Sequence, residues 1–120
     1  MTAYPLFDKS IFRILVTELG AEDIAELLDV FLADTSDKLD ALARNFRDRL
    51  NTRREAHAIK SSAGTFGFAE LSGLARDIER GSEAMSEAEL QQAVAELRRS
   101  FDTTASFARA NLMNACLEMI

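Results

Sequence analysis

The feature that most restricts the fold is the spacing of apolar residues, which repeats every three or four positions along most of the chain. One series runs for about seven helical turns from Ile24 to Leu50, and a second runs from Leu90 to Leu112. This spacing places apolar side chains on one face of an α-helix. The only proline, Pro5, precedes both series. The chain is therefore predicted to form long, uninterrupted helices, and no segment has the alternation typical of a strand.

Three shorter helices are predicted from the same periodicity, over about 8–19, 52–66 and 71–80. Two long and two short helices with brief connections favour an all-α fold. We expect an antiparallel up-and-down four-helix bundle, with the short additional N-terminal helix packed across one end.

Several residues are typical of helix ends. The tetrapeptides Thr52–Glu55 and Ser86–Glu89 both have the spacing of a capping box. Gly20 and Gly81 stand where a left-handed residue would end a helix. These signals predict that one helix starts at Thr52 and another directly after Ser86.

Composition limits the kind of protein. The 120 residues, 48% of them hydrophobic, suffice for one domain with its own core, predicted over 1–120. No apolar run approaches the roughly 20 residues that span a bilayer, and no signal peptide is recognisable. Cys116 is the only cysteine and cannot form an intramolecular disulfide. We therefore expect a cytoplasmic protein without membrane contact, and the net charge of −6 argues against nucleic acid as a partner.

The only histidine, His57, follows a local cluster of positive charge and is the best candidate for covalent chemistry. The arginines of this cluster are Arg44, Arg47, Arg49, Arg53 and Arg54. Positive charge beside a histidine suits an approaching anionic group. The alternative is a solvated helix end whose arginines pair with nearby acids.

On a helix His57 falls on a polar face. The residues within about 100° of one another on that face are His57, Lys60, Ser61, Gly64 and Phe68. The residues expected to face the core are Ile59, Ser62, Ala63 and Phe66. This placement disfavours the alternative of a histidine held inside a core.

Phosphoryl acceptance is the chemistry that these residues suit best. Ser61 and Ser62 lie too close in sequence to imitate a catalytic triad, and one histidine with one cysteine leaves only carboxylates to complete a metal site. A phosphoryl acceptor needs only an exposed ring nitrogen, a partner for the other nitrogen, and nearby positive charge. Lys60 can supply the charge, and Ser61 and Gly64 leave room for another protein.

The motif around the histidine resembles the histidine-containing phosphotransfer (HPt) domains of bacterial and fungal phosphorelays. That family has the pattern His-x-x-Lys-Gly-Ser, a glycine ten residues after the histidine, and a leucine four residues further on. The matching residues here are His57, Lys60, Ser61, Ser62, Gly67 and Leu71. The segment 19–32 also resembles single-domain HPt proteins, including those of quorum-sensing relays.

The resemblance implies a function and a set of roles. A receiver-domain aspartyl phosphate would phosphorylate His57 at its exposed ring nitrogen, and His57 would pass the group to another receiver. Lys60 would screen the phosphoryl charge, and Gly67 would permit close helix packing. The protein would be a covalent carrier rather than an autonomous enzyme, with no cofactor of its own, because the magnesium ion belongs to the receiver. Its partners would be receiver domains of a hybrid histidine kinase and of a response regulator.

Two positions depart from the commonest family pattern. Ser61 replaces a glycine, and its small side chain should preserve access to the histidine. Glu79 stands where several members carry a glutamine that orients the imidazole. Glu79 could accept the ring N–H and favour phosphorylation, or it could be a surface acid paired with Arg76 or Arg80.

The predicted receiver-binding surface combines the N-terminal helix with the histidine face. The apolar residues of that helix cover an arc near 200°, against the ~100° that one-sided packing requires. They are Ile11, Phe12, Ile14, Leu15, Val16 and Leu19. Our candidates for partner binding are Ile11, Leu15, Arg53, Arg54 and Phe68. The alternative is that the N-terminal helix is buried on both sides.

Two other functions compete with phosphotransfer. A helical adaptor could bind a receiver or kinase without being phosphorylated, and a metal-dependent hydrolase would need several carboxylates around His57. A monomer is the default expectation for the chain. An apolar tail could nevertheless pair two copies, and it consists of Leu112, Met113, Leu117, Met119 and Ile120.

Overall fold

The computed structural model describes residues 4–113, and its regular elements within that range are five α-helices. They are α1 (Lys9–Leu19), α2 (Ala21–Asn45), α3 (Arg49–Phe66), α4 (Ala69–Gly81) and α5 (Glu87–Asn111). Each of α2 and α5 has 25 residues, about 37 Å at 1.5 Å per residue, consistent with a molecule 44 Å long. No helix among residues 4–113 is long and apolar enough to cross a membrane.

Helices α2 to α5 form the predicted four-helix bundle. Helix α2 packs against α3 and α5, and α4 packs against the same two helices, while α1 lies against α2 and α3. Short connections between successive helices give the up-and-down order. The all-α bundle with an additional N-terminal helix is therefore confirmed.

The two long apolar series supply most of the core. Every residue of the second series is buried, as are most residues of the first up to Phe46. The predicted continuation of the first series to Leu50 is wrong, because α2 ends at Asn45 and the chain turns before α3 begins. Leu50 belongs to α3 and is 52% exposed, and Leu27 also faces outward.

The capping box at Ser86 is confirmed, whereas the one at Thr52 is wrong. The side chain of Ser86 accepts from the backbone N–H of Glu89, whose carboxylate accepts from the backbone N–H of Ser86. Helix α3 instead begins after Asp48, whose carboxylate accepts from the backbone N–H of Asn51. Thr52 lies inside the helix, fully buried, and its hydroxyl donates to a backbone carbonyl of the preceding turn.

Glycine ends α1 and α3 but has no left-handed role at the end of α4. Gly20 separates α1 from α2 with a φ of 89°, and Gly67 ends α3 in the left-handed region with a φ of 83°. The prediction for Gly81 is wrong, because this residue is the last of α4 and is not among the glycines of positive φ. Gly67 donates its backbone N–H to the last turn of α3, which satisfies otherwise unpaired carbonyls.

The N-terminal helix buries one side and exposes the other. Phe12 and Val16 belong to the core, while Ile11, Ile14 and Leu19 are between 40% and 59% exposed. The expected exposure of part of this apolar arc is therefore confirmed. Leu15 is half-buried against the core.

The apolar C-terminal tail is only partly within the described residues. Leu112 is buried and therefore offers no surface for pairing two copies, while Met113 is partly buried against the core. Cys116, Leu117, Met119 and Ile120 lie outside the described residues.

Candidate functional site

Helix α3 presents His57 to solvent because the opposite side of the helix is anchored in the core. Ala56, Ile59 and Ala63 are fully buried, whereas the side chain of His57 is 59% exposed. The alternative of a buried histidine is therefore wrong. An imidazole in this position is accessible to a group carried by another protein.

Glu79, from α4, joins the histidine to the lysine one turn further along α3. One oxygen of its carboxylate, Oε2, lies 2.6 Å from His57 Nδ1. The other, Oε1, lies 2.7 Å from Lys60 Nζ. The sequence left open whether Glu79 contacts the imidazole or pairs with a nearby arginine, and the structure shows the contact with the imidazole. One of those arginines, Arg76, donates to the hydroxyl of Tyr4.

The contacts of Glu79 determine its charge. The hydrogen bond from Lys60 is the main cause that holds the pKa of Glu79 below its usual value of 4.5, followed by the bond to His57, while partial burial opposes the shift. An ionised carboxylate can only accept hydrogen bonds. The proton of a neutral His57 ring is therefore assigned to Nδ1, and the lone pair remains on Nε2.

The lowered pKa of Glu79 predicts a pH dependence of stability. A carboxyl group whose pKa is lower in the folded state stabilises the fold above its unfolded pKa, and this contribution is lost as the pH falls through the folded pKa. We therefore expect the free energy of unfolding to decrease more steeply below pH 4.5 in the wild type than in Glu79→Gln. Urea unfolding at several pH values measures this difference.

A carbon-13 NMR titration of Glu79 checks the cause directly. Its midpoint should lie below 4.5, and Lys60→Ala should raise the midpoint more than His57→Gln does, because the lysine bond is the larger cause. A midpoint at or above 4.5 in the wild type would contradict the assignment.

The small residues predicted at the site have different roles. Ser61 is exposed on α3, one turn after His57. A Cβ atom on Gly64 would lie 3.4 Å from the hydroxyl oxygen of Ser72, which is ordinary contact. Ser72 in turn donates to the backbone carbonyl of Lys60, so α4 holds the turn of α3 that follows the histidine.

Gly67 is a packing position rather than part of the histidine surface. A Cβ atom there would lie 2.5 Å from the backbone carbonyl oxygen of Asp8, and the N–H of Asp8 donates to the carbonyl of Gly67 at 2.7 Å. Asp8 is also the N-cap of α1. Close packing at Gly67 therefore positions α1 against the end of α3.

The prediction that Phe68 belongs to the partner-binding surface is wrong. Phe68 is fully buried, and its ring packs against those of Phe7, Phe31 and Phe66. The reason is that α3 ends at Gly67, whose left-handed conformation turns the chain inward. A rotation of 100° per residue no longer applies beyond that point.

Three of the arginines preceding His57 contact acidic side chains or backbone carbonyls. Arg47 pairs with Glu87, and Arg49 donates to the backbone carbonyls of Ser82 and Met85 in the α4–α5 connection. Arg53 contacts Glu83 at 3.3 Å and remains half exposed. Arg54 is exposed. The pairing expected for a solvated helix end is therefore found for Arg47 and Arg53, and the approach of an anionic group to this cluster stays a prediction.

Two surface concavities lie on either side of the histidine. One of about 410 Å³ is lined by Leu50, Arg53, Arg54, His57 and Glu79. The other, of about 290 Å³, includes Ile11, Lys60, Gly64, Gly67 and Tyr4. The predicted partner-binding residues Ile11, Arg53 and Arg54 thus lie beside the site, whereas Leu15 lines neither concavity.

Sequence reasoning missed Leu50 and Tyr4. Leu50 was assigned to the core, although its position seven residues before His57 places both on one helical face. Tyr4 packs over Gly73 and bonds with Asp77 and Arg76, which holds the N-terminal segment on α4. No motif in the sequence indicates that long-range contact.

Among residues 4–113, no three side chains of the metal-binding types lie close enough together to hold an ion. The carboxylate that contacts the imidazole is already bonded to Lys60. The arrangement is that of a solvent-facing nucleophile with a fixed ring orientation and an adjacent cation.

The chain is similar to known proteins in sequence and in fold. A family model described as the Hpt domain matches residues 26–106. The phosphorelay protein LuxU of Vibrio vulnificus strains YJ016 and CMCP6 is 32% identical over 96 residues, covering 78% of this chain and 84% of LuxU. The crystal structure of histidine-containing phosphotransfer protein B (HptB) from Pseudomonas aeruginosa PAO1 is similar, with a TM-score of 0.80 and 21% identity, over 91% of this chain and 95% of that one.

Proposed function

This chain belongs to the Hpt family of histidine phosphotransfer intermediates in phosphorelay signalling, and we propose that His57 carries the phosphoryl group. The observation that supports this assignment is the 2.6 Å contact between His57 Nδ1 and Glu79 on an otherwise exposed ring. With its proton held at Nδ1, the ring offers the Nε2 lone pair to an incoming phosphorus atom.

The transfer step needs no separate base, because the attacking nitrogen carries a lone pair and no proton. The Nε2 lone pair forms a bond to phosphorus as the bond between phosphorus and the aspartyl oxygen of the receiver breaks, and the aspartate leaves as a carboxylate. The ring then carries a positive charge, because Nδ1 keeps its proton. The carboxylate of Glu79 lies in position to stabilise that charge. The reverse sequence returns the group to a second receiver.

Lys60 supplies positive charge beside the acceptor. Its ammonium group lies one turn after His57 on α3 and is only 30% exposed, held by Glu79 at 2.7 Å. Lys60 is proposed to stabilise the phosphoryl oxygens from this position. The magnesium ion that assists transfer is proposed to be bound by the acidic pocket of the receiver, so this chain contributes no metal ligand.

Receiver domains of response regulators are the partner class that the family indicates. We further propose that a hybrid histidine kinase acts upstream of the chain and a response regulator downstream. The carrier is proposed to be a monomer located in the cytoplasm. We also propose that the chain has no kinase activity of its own, because His57 is proposed to receive a phosphoryl group that the receiver already carries in activated form.

The experiment that tests the proposal is transfer of labelled phosphate from a phosphorylated receiver domain to the purified chain. We expect the label to appear on the chain and to be labile in acid but stable in base, as a phosphoramidate is. Binding of several receivers without label transfer would overturn the proposal and favour the adaptor function.

Glu79 is proposed to be a positioning residue, and its removal should slow transfer about tenfold. Loss of a hydrogen bond to a charged group costs about 1.5–3 kcal/mol, and part of that cost should fall on the transfer step. Glu79→Gln should be affected less than Glu79→Ala, because an amide oxygen can still accept from Nδ1. Rapid-quench kinetics with the same receiver measures these rates.

Nitrogen-15 NMR of the imidazole distinguishes positioning from a general structural effect. The wild type and Glu79→Gln should favour the tautomer protonated at Nδ1, whereas Glu79→Ala should show a mixture. An unchanged tautomer in Glu79→Ala, together with an unchanged transfer rate, would remove the proposed role.

A further inference from the structure

Leu50 is an exposed apolar residue on the same face of α3 as His57. It lies in the first turn of α3 and is 52% exposed. His57 follows seven positions later, so the two side chains differ by only about 20° around the helix. Leu50 is also the one large apolar side chain that lines the 410 Å³ concavity shared with His57, Arg53, Arg54 and Glu79.

We propose that Leu50 is an apolar anchor for the receiver domain that exchanges phosphate with His57, and that Arg53 and Arg54 surround it with charge complementary to that receiver. This inference rests on the proposed function, because it assumes that a receiver docks over His57. It adds a contact on the N-terminal side of the histidine, away from the apolar surface of α1.

The size of a protein interface supports this position. A standard interface buries about 800 Å² on each partner, equivalent to a disc with a radius of about 16 Å. Leu50 lies only about 10 Å from His57 along the axis of α3. A receiver whose aspartyl phosphate reaches His57 near the centre of such a disc therefore covers Leu50 as well.

The charges around Leu50 match the expected partner. A receiver that binds magnesium and carries an aspartyl phosphate presents a cluster of carboxylates around the reacting group. Arg54 is exposed beside Leu50, and Arg53 is half exposed although it also contacts Glu83. An apolar centre surrounded by polar side chains is the usual arrangement of a specific protein interface. Complementary charge also speeds encounter between the partners.

Because Leu50 is exposed, it can be substituted without loss of the fold. Leu50→Ala should raise the carrier concentration that gives half-maximal transfer about tenfold, while the rate at saturation stays near that of the wild type. Leu50→Met, which keeps an apolar side chain of similar size, should restore most of the affinity. The matched control is Val30→Ala, because Val30 is 65% exposed on α2 and lines neither concavity beside His57.

Single-turnover transfer from one phosphorylated receiver to each variant gives both quantities, and thermal unfolding shows that the variants are folded. If Leu50→Ala and Leu50→Gln both behave like Val30→Ala, the anchor is overturned while phosphotransfer by His57 stands. If the wild type receives no label, the proposed function itself fails. A reduced rate at saturation with unchanged affinity would also overturn the anchor.

Discussion

Replacing His57 by glutamine is expected to abolish phosphoryl acceptance completely and to leave the fold unchanged. Glutamine has no nitrogen with a lone pair basic enough to attack phosphorus, so the covalent step is lost rather than slowed. The side chain of His57 is 59% exposed and contributes little to the core. The free energy of unfolding should therefore change by no more than about 1 kcal/mol, the typical net contribution of the one hydrogen bond that the ring makes with Glu79.

The measurement is labelled transfer from a phosphorylated receiver, with receiver binding recorded in parallel. Binding should persist in His57→Gln, because the surrounding residues remain in place. Ser61→Ala is the matched control, since Ser61 is an exposed hydroxyl residue one turn away and should be dispensable for labelling. Label that remains in His57→Gln, or that survives acid in the wild type, would identify a different acceptor.

Much of the fold was predictable because helices are encoded locally. The apolar series from Leu90 to Leu112 is buried at every position, and the capping box at Ser86 starts α5 as expected. Errors arose where two short-range signals competed. Asp48 and Thr52 both have cap-forming side chains, and Asp48 starts α3 one turn earlier. That shift takes Leu50 out of the core series and onto the histidine face.

The candidate site was predictable at the level of single residues but not of their contacts. The polarity of one helical face correctly indicated an exposed His57. The partner of its ring depends on how α3 packs against α4, and the sequence left Glu79 between two roles. Phe68 was predicted on the wrong face because the chain changes direction at the left-handed Gly67. Helical periodicity does not apply to residues beyond such a turn, and Phe68 is buried.

Replacing Gly67 by alanine is expected to destabilise the fold by about 2–4 kcal/mol, for two reasons that add. The backbone of Gly67 has a φ of 83°, which costs a residue with a Cβ atom roughly 1–2 kcal/mol. The added Cβ atom would also lie 2.5 Å from the carbonyl oxygen of Asp8, a backbone atom that cannot move without displacing the start of α1. Urea unfolding followed by circular dichroism measures the change.

Gly64→Ala is the matched control for this prediction. Gly64 is three residues earlier in the same helix and is not among the glycines of positive φ, and its added Cβ atom would only make ordinary contact with Ser72. Alanine in a helix interior is favoured over glycine by about 1 kcal/mol, so this variant should be as stable as the wild type or more stable. Equal stabilities for Gly67→Ala and Gly64→Ala would contradict the packing assigned to Gly67. A selective loss in Gly67→Ala larger than the roughly 1–2 kcal/mol that the positive φ alone costs would show that the position of α1 beside the histidine helix depends on this one close approach of two backbone segments.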